Sequence, residues 1–185
     1  MAGGADTKGR ILDAAEMVVL RDGVARLTLD GAASEAGLSK GGVLYHFPTR
    51  DALISAMVRR LIDRFNRDLE VARRHDDGAG AATRAYVRAT FRPVSGPERE
   101  HEDRLGAALI AAVAAEPRLL APLQAEFRRW QAEIEADGLD PARATVLRLA
   151  ADGLWLTELF GFGPPSPALR LRLEQELETL TRADP

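Results

Sequence analysis

The chain has 185 residues, 46% of them hydrophobic, and carries 25 Lys/Arg against 28 Asp/Glu for a formal net charge of −3. That length and apolar content support a packed core, so disorder is not the default reading. With no cysteine, disulfides, thiolate catalysis and cysteine-ligated zinc are excluded together, and a reducing compartment, the cytoplasm, is expected.

The opening "MAGGADTKGRILDAAEMVVLRDG" has acidic residues around its apolar part and no apolar run long enough for a signal peptide or a membrane span, so no membrane association is expected. Helical periodicity then dominates, and no strict apolar/polar alternation argues for a strand; the predicted fold is all-α, with about nine helices. Asp6 is placed to N-cap a first helix with an Ile11, Ala15, Val18/Val19 stripe ending at Gly23. Thr28 caps a short second helix through Ala36, Gly37 breaks it, and Ser39 caps a third helix ending at Phe47 before Pro48. Thr49 starts a long fourth helix with Leu53, Met57, Val58, Leu61, Phe65 and Leu69 on its apolar positions, closed by "HDDGAG" at 75–80. Further helices are expected at about 80–92, 98–115, 117–136, 141–161 and 167–182, separated by "RPVSGP", Pro117, "DGLDP" and "GFGPPSP".

Charge is uneven along this order. Residues 1–74 carry 12 basic and 10 acidic side chains, residues 75–185 carry 13 and 18, so the N-terminal part is the better face for a polyanion. Residues 29–47 there have the spacing of a helix-turn-helix: small Ala33 at the crossing, Gly37 in the turn, and Val43 packing back. With Val43, Leu44 and Phe47 expected inward, Lys40, Gly41, Gly42, Tyr45 and His46 are left outside. Each helical glycine costs up to about 1 kcal/mol relative to alanine, which points to close backbone approach by a partner. Such a helix can enter the DNA major groove, where Lys40 reaches guanine or a phosphate. Ser39, Tyr45, His46, Thr49 and Arg50 are candidate phosphate donors, joined by the helix N-termini capped by Thr28 and Thr49.

"LTLDGAASEAGLSKGGVLYHFPTRDAL" resembles the N-terminal signature of the tetracycline-repressor (TetR) family of bacterial transcription regulators. Thr28, Ala33, Ala36, Gly37, Ser39, Gly41, His46, Phe47 and Leu53 match it, and Leu38, Val43 and Arg50 are close replacements. The resemblance covers about residues 8–65. It implies a three-helix DNA-binding domain (1–48), a connecting helix (49–74) and a helical ligand-binding and dimerisation domain (75–185). It also implies a homodimer on double-stranded DNA with a palindromic operator, released by a small-molecule effector. Two departures stand out: the family's tyrosine falls on Leu44, with Tyr45 beside it, and Gly42 replaces a residue able to contact a base.

In the C-terminal part, "ARATVLRLAADGLWLTELFGFG" is apolar on every face, and Leu169, Leu173, Leu177 and Leu180 form one stripe. Both patterns fit a dimer interface or a core within one chain. Glu158 falls among Ala151, Leu154, Trp155 and Phe162, and is either an effector-binding acid or the partner of an arginine. Tyr86, Phe91, Phe127, Trp130 and Trp155 are further pocket candidates, or plain core. Arg148 and Asp152 read as a surface pair. Glu98, His101 and Glu102 have ligand spacing but sit in what reads as an acidic, solvated helix start, so no metal is assigned. No cofactor is expected, and no catalytic constellation occurs at a recognisable spacing.

Overall fold

The computed structural model describes residues 3–91, 97–114 and 116–182. Among them the chain forms nine α-helices and no strand. They are α1 (Gly3–Asp22), α2 (Leu29–Ala36), α3 (Lys40–His46), α4 (Arg50–Arg73), α5 (Ala81–Phe91), α6 (Pro97–Ala114), α7 (Ala121–Glu135), α8 (Pro141–Phe160) and α9 (Pro167–Leu180). Short 3₁₀ turns occupy Val24–Arg26 and Pro117–Leu119. No helix among the described residues is long and apolar enough to cross a membrane.

Two compact units divide the chain. The first comprises residues 1–61 and 100–123, the second 62–99 and 124–185. In the first, α1 presents Ile11, Ala15, Val18 and Val19 to a core completed by Leu27, Val43, Leu53, Ile54, Met57, Leu105 and Leu109, all buried. Their i, i+4, i+7 recurrence on α1 is what one buried helix face requires. The second unit is built on α5, whose residues are nearly all buried and which packs against α8 and α9. Small side chains at Ala82, Ala85 and Ala89 let neighbouring helices come close there.

Three boundaries differ from the sequence expectation by more than one residue. α1 begins at Gly3, so Asp6 lies in its first turn, where a carboxylate complements the helix dipole, instead of capping it. Pro117 starts a 3₁₀ turn, and α7 begins only at Ala121. α9 ends at Leu180, with Thr181 as its C-cap. The expected break "RPVSGP" lies outside the described residues, apart from the backbone of its last proline.

Candidate nucleic-acid interface and ligand site

The α2–turn–α3 unit is fixed by three local devices. Thr28 Oγ1 accepts from the Gly31 N–H at 2.9 Å and starts α2. Gly37 ends it in the left-handed conformation, φ 63°, and the Leu38 N–H returns to the Ala33 carbonyl at 2.9 Å. Ser39 Oγ then accepts from the Gly42 N–H at 3.1 Å and starts α3. Ala33, Val43 and Phe47 are buried, which sets the crossing of the two helices.

Opposite that buried seam, α3 exposes Lys40, Gly41, Leu44 and Tyr45, with His46 and Gly42 half-buried. Tyr45 is 86% exposed and meets the His46 ring edge-on at 5.1 Å. Leu44, expected inward, is instead 39% exposed. Val43 on α3 and Phe47 at its C-cap take the core-facing positions, and Leu44 is turned about 100° away from Val43. Gly41 and Gly42 are not demanded by packing. A Cβ at Gly41 would approach only Ser39 Oγ, at 4.0 Å, and one at Gly42 the same atom at 3.5 Å, both ordinary contacts.

Lys40 Nζ pairs with Asp30 on α2 at 2.9 Å, with the two side chains 60% and 66% exposed. A pair that exposed contributes about 0–1 kcal/mol, so a phosphate or base edge can take the ammonium from Asp30. Thr49 Oγ1 accepts from the Ala52 N–H at 3.0 Å and caps α4. Arg50 is placed differently from the exposed donor that the sequence suggests. Its Nε donates to the Leu27 carbonyl at 2.9 Å and its Nη2 to the Val24 carbonyl at 2.7 Å, which ties the 3₁₀ turn and the approach to α2 onto the start of α4.

The six ligand candidates fall into separate groups. Tyr86, Trp130 and Phe127 converge with Phe65 of α4, ring centroids 5.0–6.0 Å apart and edge-to-face. Trp130 Nε1 donates to Asn66 Oδ1 at 2.9 Å. The acid of this cluster is Asp152, whose spacing from Arg148 suggests a surface pair. It accepts from the Tyr86 hydroxyl at 2.6 Å and from Arg148 at 2.8 Å, and both charged side chains are mostly buried. Burial raises the Asp152 pKa, the Tyr86 hydrogen bond and Arg148 opposing. Burial likewise pushes the Tyr86 phenol up, so its hydroxyl remains the donor. Arg148 also lies 5.9 Å from the Phe127 ring centroid.

Phe91 and Glu158 form the second group through Arg170. Its Nε donates to Glu158 at 2.6 Å, its Nη1 to the Phe91 carbonyl at 3.0 Å, and its guanidinium lies 5.3 Å from the Phe91 ring centroid. Glu158 is thus an arginine-paired carboxylate, one of the two arrangements its position allowed. Trp155 is half-buried on α8, and Phe162 is exposed and stacked on Phe160. His101 sits 3.7 Å from the buried Glu16 carboxylate; the side chain of Glu98 lies outside the described residues.

A separate cleft of about 540 Å³ in the second unit is lined by Arg74, Arg84, Arg88 and Arg182 with Asp76. Its centre is structural. The buried Arg84 makes two bonds to Asp76, at 2.7 and 2.8 Å, and donates to the Ala79 and Thr181 carbonyls, while Arg88 pairs with Asp76 and Glu178. The Arg84 hydrogen bonds hold Asp76 below the usual carboxylate range.

Two family models match this chain: "Bacterial regulatory proteins, tetR family" over residues 11–57, and "Tetracyclin repressor-like, C-terminal domain" over residues 80–182. Among curated proteins it is 36% identical to the HTH-type transcriptional regulator TtgR of Pseudomonas putida over 56 residues, 30% of this chain and 27% of that one. The match therefore spans about a quarter of the relative's length. Among solved structures, a TetR-family member from Streptomyces coelicolor A3 is 27% identical with TM-score 0.71, covering 94% of this chain and 97% of that one. The multidrug binding protein EbrR, complexed with ethidium, is 28% identical with TM-score 0.69 over 94% and 97%.

Proposed function

The chain belongs to the tetracycline-repressor family, whose members are DNA-binding transcriptional regulators and not enzymes, and from this we propose a repressor that holds a palindromic operator as a homodimer and is released by a small molecule. The carrying observation is the outer face of α3. It is bare at two glycines that no internal contact requires, it is flanked by Lys40 and Tyr45, and it is held by caps at Thr28 and Ser39.

In this reading residues 1–48 bind DNA, 49–74 connect, and 75–185 bind the effector and the second copy. Support for the second copy comes from α8, where Val146, Leu149, Gly153 and Leu156 form an exposed stripe at 3–4-residue spacing, and from exposed Leu169, Leu173 and Leu180 on α9. Two-fold pairing matches a palindrome whose half-sites lie about 34–36 Å apart. Thr28, Ser39, Tyr45, His46 and Thr49 hold the phosphates, and Lys40 reads a base edge. The effector class that best fits Phe65, Tyr86, Phe127, Trp130 and the acid Asp152 is a flat organic cation that takes the carboxylate from Arg148 and parts the edge-to-face rings to stack on them. The similarity to EbrR, complexed with ethidium, supports that class. Effector binding displaces α4, which contributes to both compact units, and the two recognition helices then no longer match their half-sites.

The test is a pull-down of genomic fragments by the purified protein at graded salt, followed by sequencing. An enriched palindrome, lost on adding an aromatic cation, is the expected result. Retention without sequence preference, or none at any salt, overturns the proposal.

A further inference from the structure

We infer that Leu44 is a specificity-determining residue that reads the C5-methyl group of a thymine in the operator half-site; this rests on α3 being the recognition helix. Three observations carry it.

Leu44 is only partly used by the fold. Val43 on α3 and Phe47 at its C-cap are buried on the core side, whereas Leu44 keeps 39% of its surface exposed and is the one aliphatic side chain on the outward face, beside Lys40, the two glycines and Tyr45. Its neighbours next define what can reach it. Lys40 lies one turn before it at i−4 and Gly41 at i−3, so an ammonium, a side-chain-free strip and a branched apolar group share one face. Finally, the glycine strip meets nothing inside the chain that forbids a side chain. Bare backbone there lets a flat surface come close enough for Leu44 to touch it.

The major-groove edge of duplex DNA carries one apolar group, the thymine methyl, and it lies among the acceptors that a lysine reads on guanine. A solvated polar partner would leave Leu44 unsatisfied, and a protein partner would have to tolerate the neighbouring ammonium. A thymine near a guanine satisfies both side chains.

The test begins with selection of bound duplexes from a randomised library. The selected site is then resynthesised with deoxyuridine replacing each thymine in turn, which removes only the methyl. One position per half-site is expected to lose affinity about fourfold, the effect of burying a single methyl. Leu44→Ala should bring that ratio to one while the protein still unfolds cooperatively above the assay temperature, and Leu44→Met should keep most of it. A selected site in which no deoxyuridine matters, or a ratio that survives Leu44→Ala, overturns the inference while leaving the DNA-binding reading intact. Selection of no site at all overturns both.

Discussion

At the scale of single residues, the glycines of α3 separate stability from function. A Cβ at Gly42 meets only Ser39 Oγ, at 3.5 Å. Gly42→Ala should therefore stabilise the fold, by up to about 1 kcal/mol from helix propensity, while weakening operator binding. Urea unfolding and a binding isotherm on one preparation check the opposed signs. Arg50 is the converse case. With its guanidinium on the Val24 and Leu27 carbonyls, Arg50→Ala should lower stability by about 1.5–3 kcal/mol, the range for hydrogen bonds from a charged donor, measured by urea unfolding without DNA. The sequence marks Thr28, Gly37 and Ser39 correctly because caps and left-handed turns are local chemistry. It misplaces Leu44 because the core meets α3 mainly along Val43 and the C-cap Phe47, and periodicity over seven positions does not say how wide the buried face is. It suggests an exposed role for Arg50 because the carbonyls it holds lie 23 and 26 residues earlier.

At the scale of elements, long-range polar pairs decide what local pattern leaves open. Asp152 and its i−4 arginine read as a surface pair, yet the Tyr86 hydroxyl that buries them comes from α5, 66 residues away. The helices themselves are legible, since each apolar stripe repeats within its own segment. The Asp76–Arg84 pair ties the segment after α4 to α5 and the end of α9. Its folded-state carboxyl pKa lies below the unfolded value, so its stabilisation is complete above that unfolded value, about 3.9, and is lost as pH falls through it toward the folded pKa. Asp76→Asn should accordingly cost about 3 kcal/mol at neutral pH, as expected when one partner of a mostly buried pair is removed. The gap from the parent protein should shrink below about pH 4, which thermal melts across a pH series will show.

For the whole molecule, the exposed stripe on α8 is the feature whose disruption reaches furthest. Leu149→Arg places a charge among Val146, Gly153 and Leu156, all at the surface of the single chain, so the fold should survive it. If the proposed dimer forms through this stripe, sedimentation velocity should show a dimer for the parent protein and a monomer for the variant. Operator affinity should fall by at least 100-fold, on the order expected when two linked half-sites become independent. A dimer that persists in this variant would place the interface elsewhere.

The length of α4 has a mechanical consequence. Its 24 residues make a rod of about 36 Å at 1.5 Å per residue. Pivoting such a rod by roughly 5° moves its far tip by about 3 Å, close to the 3.4 Å step between base pairs. In the proposed mechanism, a lever of this size turns a side-chain-sized disturbance at one end into a misregister of one rung on the DNA ladder, so a small strain at the proposed effector site suffices.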